Sequence, residues 1–258
     1  MRLANITWPQ AEAYFKEHDM VLMGVGSIEC HGKHMPLGTD TLIPDHLLED
    51  IEKRTDVLIC PTLPYGATDT LADFPGTINL GTDVLYDVMR SITDSLWQHG
   101  ARKFVILNGH GGNTRTLHRL GMELQKRGGL MAVLNWWLMA WDMDPAWKGG
   151  HGGGEETAAI LGIDPSLVDR SEIGGELELF DVTDRIKATG FRSASYRGVT
   201  VEIIRSTPRV TDSGWIGPDH PNTATVEWGQ RMLQTVADYI ADFMEEFKKA
   251  ELQSKRGE

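Results

Sequence analysis

The chain has 258 residues, 41 % hydrophobic and 24 % charged, which is enough to bury a large core in ordinary globular proportions. Its 25 Lys and Arg against 37 Asp and Glu leave a formal net charge of −12. That balance argues against a nucleic-acid or anionic-membrane binder, which would show a basic patch or run.

Met1 to Thr7 lacks the basic-then-apolar pattern of a leader peptide, and the expectation is a cytoplasmic protein. A helix is predicted from Thr7 to His18, with Pro9 in its first turn. Met20 to Val25 (MVLMGV) is a short apolar run that reads as a buried strand. Thr41 to Arg54 has helical spacing through Leu42, Leu47, Leu48 and Ile51. Val57 to Cys60 reads as a second strand, and Pro61 to Pro64 as the start of a long loop. Asp83 to His99 is helical, Lys103 to Leu107 a third strand, Thr114 to Lys126 helical, and Leu130 to Trp136 a fourth strand. Strands that alternate with helices and read as unbroken apolar runs imply an α/β fold with a mainly parallel sheet covered on both faces.

After Trp147 the rhythm breaks. Glu155 to Leu161 reads as a short helix, residues 171–215 show no period, and Pro221 to Lys249 is a long amphipathic terminal helix. The expectation is one domain over residues 1–258, with segment 171–215 shaping access to a substrate. No apolar stretch approaches the roughly 20 residues of a membrane helix. Cys30 and Cys60 are too few for a disulfide framework, and Cys30 reads as a small buried packing residue.

In a parallel sheet, ligands bind beyond the carboxyl ends of the strands. The loop after the first strand carries Glu29, His31 and Asp40; the loop after the third carries His110 within Asn108-Gly109-His110-Gly111-Gly112-Asn113. Beyond the fourth come His151, Gly152, Gly153, Gly154, Glu155 and Glu156. Imidazole and carboxylate together suit zinc or manganese, and a carboxylate can bridge two ions. A lone loop histidine is usually just hydrogen-bonded, and an acid at a helix start usually caps it. Convergence of several at one sheet edge favours a site with two metal ions roughly 3.5–4 Å apart.

Rival motifs are weaker. His151-Gly152-Gly153-Gly154 is similar to an esterase oxyanion loop, but no G-x-S-x-G elbow accompanies it. There is no P-loop, no H-E-x-x-H and no complete G-x-G-x-x-G.

Gly26-Ser27-Ile28-Glu29-x-His31-Gly32 with Leu37-Gly38-Thr39-Asp40, then Asn108 to Asn113, then His151-Gly152-Gly153 with Glu156-Thr157, together resemble the creatininase (creatinine amidohydrolase) family. Phe74-Pro75-Gly76-Thr77 and Gly214-x-x-Gly217-x-x-x-Pro221-x-x-Ala224 are similar to further landmarks of that family. The resemblance spans roughly residues 7–245. It implies an α/β/α domain, a homo-oligomer (often a hexamer), two divalent ions (Zn2+ or Mn2+) and hydrolysis of a small cyclic or amide substrate. Position by position it implies that Glu29, Asp40 and His110 hold one ion, and His31, Asp40 and Glu156 the other. Asp40 is then the bridge and His151 the catalytic histidine; His34 stays outside the metal shell. Trp137 and Trp147 match aromatic positions near the family's substrate, although either can equally be core or subunit packing.

Three positions in two loops depart from the family pattern. Creatininase itself has a tyrosine and a metal-associated glutamate where this chain has Gly111 and Gly112, and a glutamate where it has Gly150. The metal scaffold is kept and the creatinine-specific shell is partly missing. The expected reaction is hydrolysis of a cyclic amide, with carbon–carbon ring opening of a diketo-inositol as the alternative.

Overall fold

Four apolar runs become the four strands of a parallel sheet. They are β1 (Met20–Val25), β2 (Leu58–Leu63), β3 (Lys103–Asn108) and β4 (Leu130–Asn135), in the order β2-β1-β3-β4. The computed structural model describes residues 1–252; residues 253–258 of the expected domain lie outside the described residues. All six residues of both central strands, β1 and β3, are buried.

Alternation along these strands divides the core in two. Leu22, Ile59, Val105 and Leu107 join one apolar cluster with α2 (Thr39–Glu52), α6 (Gly154–Ile163) and α7 (Val226–Phe247). Val21, Met23, Val25, Phe104 and Ile106 join the other with α3 (Gly81–His99), α4 (Thr114–Lys126) and Tyr14 of α1 (Trp8–Glu17). Each fully buried Leu or Ile contributes about 1.5–3 kcal/mol of transfer free energy. The architecture is α/β/α, with one apolar cluster packed on each face of the sheet.

Several elements differ from the sequence expectation. β2 runs on through Pro61 to Leu63 because it is an edge strand, where proline's missing N–H costs no ladder bond. β4 stops at Asn135, and Trp136 opens a helix the sequence reading lacks, α5 (Trp136–Met143). α2 begins at Thr39 rather than Thr41, which puts Asp40 in its first turn.

Segment 171–215 is also more ordered than expected. It holds an antiparallel sheet of β5 (Ile186–Ala188), β6 (Ser193–Tyr196) and β7 (Val199–Glu202). Arg197 (φ 52°) and Gly198 (φ 80°) make the two-residue turn between β6 and β7. The terminal helix starts at Val226, not Pro221, with Thr225 Oγ1 accepting from the Trp228 N–H at 3.1 Å. Among the described residues no helix is long and apolar enough to cross a membrane.

Candidate metal centre

Three loops meet at the carboxyl edge of the sheet, and Asn113 ties them together. Its Oδ1 accepts from the Ala67 N–H (3.1 Å) and its Nδ2 donates to the Gly26 carbonyl (3.0 Å). Glu29 and His31 come from the loop after β1, Asp40 from the start of α2, and His110 from the loop after β3. Glu156 is the third residue of α6, and its Oε2 accepts from the Gly152 N–H at 2.6 Å. Gly152 itself lies at φ +65°, where a Cβ would meet Trp215 Cβ at 2.7 Å. The helix-start acid therefore does cap, and it also faces the site.

The expected residues are brought together. His31 Nε2 lies 3.0 Å from Asp40 Oδ1 and 3.6 Å from Glu156 Oε2. His110 Nδ1 lies 3.0 Å from Asp40 Oδ2 and 3.1 Å from Glu29 Oε1. Asp40 thus presents one oxygen to each histidine, and Ser27 Oγ donates to Oδ2 at 2.7 Å. Two donor groups, Glu29-Asp40-His110 and His31-Asp40-Glu156, each gather ligand atoms within 4.8 Å of one another. A third such group is Glu29-His31-His151.

The histidines are oriented from behind. His31 Nδ1–H donates to the Glu29 carbonyl (3.1 Å), and His110 Nε2–H donates to the Ala67 carbonyl (2.9 Å). Pinning one ring nitrogen to a backbone carbonyl is how proteins fix the tautomer of a metal-ligating histidine. His151 follows the same pattern, with Nε2–H donating to the Cys30 carbonyl (2.7 Å) and Nδ1 3.6 Å from Glu29 Oε1. Its ring also lies 4.3 Å from that of His31. His34 differs: it bonds Thr157 Oγ1 at 3.0 Å, and burial pushes its pKa down to about 4. It is a neutral packing residue.

Burial sets the charge of the metal-free site. Burial opposes a charged His31, but the Asp40 and Glu156 carboxylates outweigh it and lift its pKa to about 10. His110 is likewise raised well above the usual imidazole range by Glu29 and Asp40, against its burial. Asp40, though buried, is held well below the carboxylate range by the two histidines. Burial raises Glu29, and raises Glu156 to about 7. His151 goes the other way, held well below the usual value by burial and by His31.

A metal ligand must be neutral imidazole, so an ion entering here displaces protons from His31 and His110. Loading Zn2+ at neutral pH is expected to release protons, and affinity to rise with pH until it passes the His31 value of about 10. Calorimetry in buffers of different ionisation enthalpy reads this directly. Binding with no buffer dependence would mean that the imidazoliums are not displaced.

The donors open into a cavity of about 780 Å3. Trp137 lines it, as expected for a substrate-side aromatic, together with Trp141 and Phe191. Trp147 does not: it is packed in the core beside Arg231, in line with the core alternative for that residue. Cys30 is buried near the Gly214 carbonyl, its thiol pKa raised by burial, in keeping with a packing role.

Sequence reading missed Trp141 and Glu155. The Trp141 indole N–H donates to Glu155 Oε1 at 2.7 Å, and burial pushes the Glu155 carboxyl up to about 9. Asp219 caps α6 through the Glu155 N–H at 2.6 Å. The paired Glu155-Glu156 at a helix start was the available signal for Glu155; Trp141 lies in a helix with no readable polar face.

Comparison with known proteins gives one family throughout. The pattern that defines creatininase (creatinine amidohydrolase) matches residues 4–244. Creatinine amidohydrolase of Pseudomonas putida is 32 % identical over 195 residues, covering 66 % of this chain and 75 % of that one. A mycofactocin precursor peptide peptidase of Mycolicibacterium smegmatis is 27 % identical over 238 residues, 86 % and 83 % of the two chains. A 3-dehydro-scyllo-inosose hydrolase of Thermotoga maritima is 30 % identical over 108 residues, 42 % and 35 % of the two chains. A crystal structure of creatinine amidohydrolase superposes with a TM-score of 0.73 at 25 % identity, covering 96 % of this chain and 98 % of that one. Similar solved structures include one described as creatininase Mn and a creatininase mutant of Zn-Zn type.

Proposed function

Because this chain belongs to the creatininase family, we propose that it is a divalent-metal-dependent hydrolase of a small polar cyclic substrate, cleaving the C–N bond of a cyclic amide. The observation that carries the metal is Glu29. Its side chain is fully buried; Oε2 has no hydrogen-bond partner among the described residues, and the close neighbour of Oε1 is His110 Nδ1 at 3.1 Å, an atom it shares with Asp40 Oδ2 at 3.0 Å. One imidazole shared between two buried carboxylates leaves Glu29 under-compensated, and a divalent cation would pair with it. Zn2+ and Mn2+ both suit this nitrogen and oxygen donor set. Glu29, Asp40 and His110 would hold one ion, and His31, Asp40 and Glu156 the second. When bound, such a pair supplies a water of pKa about 7 and polarises a carbonyl.

The chain's own residues do the rest. The Cys30 carbonyl holds the Nε2 proton of His151, which leaves Nδ1 as the lone-pair atom inside the cavity. Burial keeps that ring neutral, ready to accept a proton at Nδ1 and pass it to the departing nitrogen. Trp137 and Trp141 line the cavity and give it aromatic surface for a small ring. The cavity volume falls in the range of small-molecule sites. Family membership is also the ground for proposing a homo-oligomer.

Specificity is proposed to differ from creatininase itself. A Cβ on Gly112 would lie 2.0 Å from the Ala67 carbonyl and 2.4 Å from His110 Nε2, so no side chain fits there without unpinning His110. Gly111 faces open space, with only Trp137 within 4 Å of its Cβ position. The cavity mouth is therefore wider and less charged than one bearing tyrosine and glutamate.

The test is a screen of cyclic amides, creatinine included, and of oxidised cyclitols, using Zn2+- or Mn2+-loaded protein with product mass detection. Poor turnover of creatinine and ring opening of another cyclic amide are expected. Creatinine as the best substrate would contradict the reading of Gly111 and Gly112. A ring-opened keto acid formed without loss of a C–N bond would favour the second reading, cleavage of a diketo-inositol. That reading is supported by the similarity to the inosose hydrolase and by an enolate being an adequate leaving group.

A further inference from the structure

The floor of the cavity is acidic, but its rim is not. The exposed residues lining it include the cationic Arg115 and Arg192, and also His118 of α4, against one exposed acid, Asp69. Asp69 is already engaged, accepting from Asn79 Nδ2 at 2.7 Å. In a chain with 37 acids to 25 Lys and Arg, this local balance runs against the whole.

The two arginines also differ from most others in the chain. Arg2, Arg54, Arg90, Arg119, Arg127 and Arg231 each pair with a carboxylate. Arg102, Arg170 and Arg205 donate to backbone carbonyls. Arg115 and Arg192 have no ion-pair, carbonyl or aromatic partner among the described residues, and both line the cavity.

Their positions are set by structure. Arg115 is the second residue of α4, whose first turn carries no acid and no side-chain cap, so the partial positive charge of the helix end adds to the guanidinium. His118 is one turn further along the same helix face. Arg192 directly precedes β6 and also lines the cavity. The Ile203 N–H donates to its carbonyl at 2.7 Å, and the neighbouring Phe191 ring lies edge-on to His151 at 5.0 Å. The cavity that His151 lines is therefore also lined by two unpaired guanidiniums, one of them adjacent in the chain to the Phe191 that packs on His151.

Building on the hydrolase reading above, we propose that the substrate carries an anionic oxygen group, a carboxylate or phosphate ester, held at the rim by Arg115 and Arg192 while its carbonyl reaches the floor. Guanidinium forks match such groups in geometry and charge. Creatinine has no such group, which places it outside the preferred class for a reason independent of Gly111 and Gly112.

The test uses matched neutral and anionic probes on Zn2+-loaded protein, by calorimetry. Dihydroorotate differs from dihydrouracil by one carboxylate, and glycerol 3-phosphate differs from glycerol by one phosphate. The favoured anion is expected to bind about tenfold or more tighter than its neutral match. Which pair shows the gap identifies the anion. Arg115→Gln and Arg192→Gln should each shrink the gap, and added salt should too.

Equal affinity within both pairs, or no binding of any of the four, would overturn the assignment. So would a gap that persists in both variants, because the anion would then be sitting on the metals. Elemental analysis of the same samples separates this failure from that of the hydrolase reading. Metal present with no gap removes the rim assignment alone. An arginine-dependent gap in protein that cannot retain metal removes the hydrolase reading alone.

Discussion

Asp40→Ala is expected to lose both metal ions, whereas Glu29→Ala or Glu156→Ala should weaken mainly one. The reason is geometric: Asp40 Oδ1 faces His31 Nε2 and Oδ2 faces His110 Nδ1, each at 3.0 Å, so one side chain serves both donor groups. Turnover should fall to background with the metals. The substitution also strands two buried histidines, and removing one partner of a buried ion pair costs about 3–5 kcal/mol of stability. Asp40→Asn, which keeps the shape and one acceptor oxygen, guards against confusing unfolding with metal loss. Elemental analysis after dialysis, alongside circular dichroism, checks both variants. Folded Asp40→Ala with full metal occupancy would refute the bridging role.

His151→Ala is expected to do the opposite, keeping the metals and losing the chemistry. General acid–base catalysis contributes typically ~10²–10⁴-fold, so turnover should fall by about that factor with KM little changed. The ring is anchored by the Cys30 carbonyl, not by a ligand carboxylate, and burial keeps it neutral. Its place in the Glu29-His31-His151 group makes the alternative concrete. A variant that loses an ion would make His151 a ligand. One with full activity would leave it a hydrogen-bonded loop residue.

The central sheet is legible in the sequence because β1 and β3 bury every residue, leaving unbroken apolar runs. The same signal misleads at its ends. Trp136-Trp137-Leu138 continues the apolar run of β4, yet the chain turns there into α5, whose residues are too uniformly apolar to show a helical period. Pro61 reads as a breaker only if its strand is assumed to be internal, and edge position is a property of the assembled sheet. The strands β5 to β7 are three or four residues long, and β7 is exposed throughout, so no alternation marks them.

The candidate donors are legible for a different reason. Glu29, His31, Asp40, His110 and Glu156 sit just past strand ends and at two helix starts, where backbone topology brings them to one edge. What supports them is not legible. The carbonyls of Glu29, Ala67 and Cys30 that pin three imidazoles are backbone atoms with no sequence signature. Trp147 shows the converse: its place in the sequence suggests the substrate, and packing takes it into the core. Arg115 and Arg192 lie 77 positions apart and line one cavity only because the fold brings the segment leading into β6 to the start of α4.

Metal dependence is tested most directly by elemental analysis of the unaltered protein after dialysis, joined to an assay on the same sample. Two equivalents of zinc or manganese per chain are expected, with amide hydrolysis lost on chelation and restored when either ion is returned. Undiminished hydrolysis by protein holding no divalent metal would contradict the account.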